Sequence, residues 1–119
     1  MTHTILGILL ILIGFSLRLH VYFVLKYKQC WRLRKLEKLV TTGIFKYIRH
    51  PLYLGTILYV CGLTLASTGN YGLTVANLVI IVFVILGTID HEETIMTMYF
   101  GEEYINYVNK TKMLIPYIW

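Results

Sequence analysis

The chain has 119 residues, 57% hydrophobic and only 14% charged, with a formal net charge of +5 and a mean hydropathy of +0.67. A soluble domain usually carries about 25% charged residues, and a chain this small has too little interior to hide so much apolar side chain. The composition therefore excludes an ordinary soluble domain and points to lipid as the surrounding solvent. The positive balance fits basic loops against anionic headgroups and not nucleic acid.

The first apolar stretch covers 5–25. At ~1.5 Å per residue it is long enough for a hydrocarbon core of ~30 Å. Residues 5–17 have the look of a signal-peptide core, but MTHT carries no Lys or Arg and no small-x-small cleavage site follows, so a retained membrane helix is expected. Arg18 and His20 interrupt the stretch. Polar groups within a span are costly and are functional candidates by default; the alternative is that Arg18 snorkels to the near interface.

Residues 26–38, KYKQCWRLRKLEK, alternate basic residues with Tyr27, Trp31, Leu33 and Leu36. That pattern predicts an interfacial helix lying on the headgroups. Residues 39–50 contain Gly43 and further basic residues and are expected to form a linker. Cys30 lies among basic residues and Cys61 in an apolar run, so no disulfide is expected.

No charged residue occurs from Pro51 to Ile89, and the turn formers Ser67 to Gly72 lie within that stretch. A helical hairpin follows, with arms at 51–68 and 73–95. Pro51 suits the first turn of its helix, where a missing N–H costs nothing. In the tail, 100–119, Glu102 and Glu103 precede Lys110 and Lys112, the charge order of a short helix that complements its own dipole. The expected fold is an all-α membrane protein forming a single domain over 1–119. It has about three transmembrane helices, an interfacial basic helix and a cytosolic C-terminal helical tail.

Every Lys and Arg lies in 18–49 or 110–112. The positive-inside rule then places 26–50 and 90–119 in the cytoplasm, with the N-terminus outside the cell membrane. All six acids fall on the same side, so the hairpin brings 37–53 and 88–104 together. One segment bears Arg49, His50 and Tyr53; the other bears Glu92 and Glu93. A pocket between them would be apolar below and polar above, which suits a charged ligand and an amphipathic co-substrate arriving from the bilayer. Adjacent residues on a helix point about 100° apart. One of the two carboxylates can face such a pocket, and the other turns to solvent or to a basic partner. A solvated cap at the membrane boundary is the competing explanation for the pair. The four His residues lack ligand spacing, and no metal site is expected.

The run Leu39-Val40-Thr41-Thr42-Gly43-Ile44-Phe45-Lys46-Tyr47-Ile48-Arg49-His50-Pro51-Leu52-Tyr53-Leu54-Gly55 resembles the signature of the isoprenylcysteine carboxyl methyltransferase and phospholipid methyltransferase family. The downstream block agrees: Glu92-Glu93, Phe100-Gly101-Glu102-Glu103-Tyr104, Tyr107 and Ile115-Pro116. The resemblance covers about residues 37 to 119; the first helix carries no motif.

It implies a membrane-embedded methyltransferase that uses S-adenosylmethionine on the cytosolic side and takes a lipidic or amphipathic acceptor, a carboxylate or an amine. Carried over by position, Leu39, Val40, Phe45, His50, Pro51, Leu52, Tyr53 and Glu92 would bind the cofactor. Arg49, His50 and Glu93 would form the catalytic group, with Glu93 supporting Glu92. His50 is the one member able to act as a general base near neutral pH. The sequence departs from prenylcysteine-specific members at Glu37, where they commonly have His, and at Thr88 and Met113, where they have Arg. It is also expected to lack N-terminal helices that wall the groove elsewhere, which a homo-oligomer would supply. A non-catalytic truncated relative that binds a ligand or a partner in the membrane stands as the alternative.

Overall fold

In lipid the backbone must satisfy its own hydrogen bonds, and long apolar runs without breakers do so as helices. The computed structural model describes residues 1–27, 41 and 43–119. It shows α1 (Thr2–Tyr27), α2 (Pro51–Thr68), α3 (Tyr71–Phe100) and α4 (Glu102–Lys110), with a 3-10 turn at Gly43–Lys46. The first three are long and apolar enough to cross a membrane. The described residues form an all-helical membrane protein. The interfacial helix expected over 26–38 lies, from residue 28 onward, outside the described residues, as do Leu39 and Val40.

The hairpin turn is tighter than its composition suggests. Ser67 and Thr68 stay helical because their hydroxyls donate to the Leu63 and Thr64 carbonyls one turn back. Reversal is left to Gly69, in the left-handed region at φ 64°, and to Asn70, whose side chain caps α3 by accepting from Leu73 N at 3.0 Å. At the other end α3 overruns the expected boundary at residue 95. Nothing between Asp90 and Phe100 breaks a helix, and it ends only at Gly101, with φ 62°. A helix of 30 residues is about 45 Å long, some 15 Å more than a hydrocarbon core needs. Its last turns, bearing Asp90 to Glu93, therefore reach the membrane boundary or pass it.

Both α1 and α3 pack on α2. The α1–α2 seam runs antiparallel and is built on Gly7, Gly14, Gly55 and Gly62. A Cβ placed on Gly14 would lie 2.6 Å from Gly55 O and 2.6 Å from Tyr59 N; one on Gly62 would lie 2.6 Å from Gly7 O. The two backbones are thus in contact, as small residues allow in membranes, where helix association relies on packing and not on the hydrophobic effect. On its other side α2 meets α3 through Ile57, Cys61, Ile85 and Ile89, with Leu114 of the tail closing the cluster. Asn77 adds an interhelical hydrogen bond to Thr64 Oγ1 at 2.7 Å.

Gly14→Ala should force the helices apart, at a cost of about 1–3 kcal/mol typical of overpacking. Gly87→Ala, where a Cβ meets nothing within 4 Å, should be neutral or slightly stabilising. Thermal denaturation in mild detergent compares the two; equal midpoints would contradict the close seam.

Candidate functional site

The end of the bundle where α2 begins is assembled by a backbone splice between linker and tail. Lys112 N donates to Tyr47 O at 3.0 Å, Arg49 N to Lys112 O at 2.8 Å and His50 N to Met113 O at 3.1 Å. This short parallel bridge fixes Arg49 and His50 immediately before α2 begins at Pro51. A second tie joins α4 to the 3-10 turn, where Tyr107 Oη donates to Phe45 O at 2.5 Å. Burial pushes the Tyr107 phenol well above its ordinary range, so it remains a neutral donor.

Arg49 then binds in two directions. Its Nε donates to Glu93 Oε1 at 2.8 Å. Its Nη1 reaches Val108 O, Thr111 O and Thr111 Oγ1 at 3.2, 3.0 and 3.3 Å, which satisfies the open carbonyls at the C-terminus of α4. The side chain is only 9% exposed. A guanidinium so engaged holds the tail against α3, which makes Arg49 a positioning residue in this arrangement. The same Glu93 oxygen accepts from His50 Nε2 at 2.9 Å. A carboxylate offers only acceptors, so Nε2 carries the proton and Nδ1 is left facing Glu92, with Oε2 at 4.0 Å.

Glu92 has a different environment. Tyr53 Oη donates to its Oε1 at 2.5 Å, and its side chain is 35% exposed against 22% for Glu93. The 100° offset along α3 thus gives each carboxylate its own partners. Glu93 faces the cation and the imidazole; Glu92 faces the tyrosine and the open side. The cluster sets two carboxylates beside one guanidinium and one imidazole. An open groove of about 410 Å³ lies against it between α3 and α4, lined by Asp90, Glu93, Thr94, Thr97 and Tyr104 among others.

The structure therefore brings together Arg49, His50, Tyr53, Glu92 and Glu93. Leu52 stands half-buried in the first turn of α2 beside them. Phe45 and Pro51 are interior: Pro51 is fully buried and Phe45 contributes its carbonyl to the tie with Tyr107. Leu39 and Val40 lie outside the described residues. Sequence reasoning gave no role to Thr111, nor to the backbone of Lys112 and Met113. Their contribution is main-chain geometry, which leaves little compositional trace.

The profile of the family described as phospholipid methyltransferase matches residues 2–103. A protein-S-isoprenylcysteine O-methyltransferase of Saccharomyces cerevisiae is 37% identical over 84 residues, covering 67% of this chain and 33% of the relative. The protein of the same name from Schizosaccharomyces pombe is 34% identical over 80 residues, covering 67% and 34%. A methanethiol S-methyltransferase of Crocosphaera subtropica is 36% identical over 84 residues, covering 68% and 30%. The matched region spans about a third of the length of these relatives. No solved structure matches the chain.

Removing one partner of a largely buried ion pair strands the other charge. Arg49→Ala and Glu93→Ala should each lower the unfolding midpoint in detergent. The double variant should be less destabilised than the sum of the two, by at least about 1 kcal/mol of coupling. Additive losses would show that the pair contributes no more than two surface charges.

Proposed function

We propose, from the premise that this chain belongs to the phospholipid methyltransferase family, that it transfers a methyl group from S-adenosylmethionine to a lipidic or amphipathic acceptor at the cytosolic face of the cell membrane. The observation that carries this reading is the closure of Arg49, His50 and Tyr53 on the Glu92–Glu93 pair at the end of three membrane-length helices. The donor set suits the cofactor. Its sulfonium and amino groups are cationic, and the cluster offers an uncompensated, half-exposed carboxylate at Glu92.

When bound, the cofactor supplies a methyl group already activated on sulfur. The remaining requirement is alignment of acceptor and methyl in a site shielded from water. In this reading Glu92 binds the cofactor's polar groups, and Tyr53 fixes the orientation of that carboxylate. Glu93 serves from behind by locking Arg49 and His50. With Nε2–H committed to Glu93, the Nδ1 of His50 is the basic nitrogen and can take a proton from an amine acceptor; a carboxylate acceptor needs no base. Leu52 would contribute an apolar wall. The long exposed faces of α1 and α3 leave room for a second copy to complete the acceptor groove.

A second reading, a relative that binds ligand without catalysis, draws on Thr88. Its hydroxyl donates to Val84 O at 3.1 Å and presents no charge to an acceptor.

S-adenosylhomocysteine should raise the unfolding temperature of the purified protein. Glu92→Gln should weaken that binding by about tenfold, roughly 1.4 kcal/mol, while the ligand-free midpoint stays near wild type. Absence of binding by folded wild-type protein would refute the cofactor assignment. Unimpaired binding by Glu92→Gln would refute the role given to Glu92.

A further inference from the structure

Arg18 packs at the edge of the α1–α2 seam, apart from the cluster around Glu93. It lies in α1, inside an apolar span, and its side chain is exposed on the bundle surface. Its stem crosses α2 at Gly55, where a Cβ would come within 2.8 Å of Arg18 Cγ, so that glycine provides the space. Beyond Gly55 its Nη1 donates to Thr56 Oγ1. The Thr56 hydroxyl donates in turn to Leu52 O at 3.0 Å, which orients its lone pairs toward the guanidinium.

The direction of the side chain matters. Gly55 faces Gly14 O and Arg18 N, so it stands level with the stretch of α1 between those residues. Thr56 lies one residue farther from the cytosolic start of α2. The Arg18 side chain therefore runs back toward the α1 N-terminus, as helical side chains do, and not outward past Tyr27 to the boundary. Thr56 is five residues into α2, about 7.5 Å along the axis from Pro51. A guanidinium carries five N–H donors, and Thr56 accepts one bond. Among the described residues no carboxylate lies within ion-pair distance of Arg18. A cation within an apolar span is costly unless an anion meets it there.

We propose that Arg18, seated by Gly55 and Thr56, is a binding site for the anionic headgroup of an amphiphile, with phosphate as the matching chemistry and the acyl chains lying along α1 and α2. Guanidinium and phosphate pair through parallel charge-assisted hydrogen bonds. This assignment stands independently of methyl transfer.

Native mass spectrometry of the detergent-purified full chain, titrated with phosphatidylglycerol or phosphatidylcholine, tests it. The wild type should hold one phosphatidylglycerol more tightly than any phosphatidylcholine. Arg18→Gln, which keeps a donor for Thr56, should lose that lipid's preference by about tenfold, the ratio that 1.4 kcal/mol represents. Thr56→Val should reduce it by a smaller factor with the charge intact. Equal phosphatidylglycerol binding by wild type and Arg18→Gln would overturn the proposal. Inorganic phosphate that competes as effectively as the lipid would overturn the amphiphile assignment in favour of a soluble anion.

Discussion

One oxygen atom organises the end of this protein where α2 begins. Glu93 Oε1 accepts from Arg49 Nε and from His50 Nε2 at 2.8 and 2.9 Å. Through Arg49 it reaches the end of α4, and through His50 it sets which imidazole nitrogen is free. The splice between 47–50 and 112–113 supplies the two donors at the correct height, and the extra length of α3 supplies the acceptor. Without that acceptor Arg49 would be a stranded charge at a membrane boundary, and the tail would lose its ionic tie to α3.

The same interaction divides labour between neighbouring carboxylates. Glu93 is neutralised by Arg49 and carries geometry. Glu92, bonded to Tyr53, is the more open of the two. The cationic, amphipathic cofactor proposed for this site would find carboxylates beside apolar helices there. Arg18 stands apart from that cluster, on the α1 side of α2, against Gly55 and Thr56.

Much of this was legible in the sequence because hydropathy and charge are long-range signals in a membrane chain. The uncharged stretch from 51 to 89 forces a hairpin, and a hairpin forces Arg49-His50 to meet Glu92-Glu93. Three features were less accessible. The close α1–α2 seam rests on Gly7, Gly14, Gly55 and Gly62, which separately read only as weak helix formers; their partnership appears when the two helices are paired. The turn formers Ser67 and Thr68 proved helical because carbonyls one turn back accept their hydroxyls. The division between Glu92 and Glu93 depends on the rotational phase of α3, which adjacent identical residues do not encode.

The central claim is that this cluster supports methyl transfer with Glu92 as the ligand-binding carboxylate. Incubation of membranes containing the chain with methyl-tritiated S-adenosylmethionine, followed by separation of lipid from protein, addresses it most directly. The account predicts label in one of these fractions with wild type and near-background label with Glu92→Gln at equal expression. Equal labelling by both, or none above membranes lacking the chain, would contradict it.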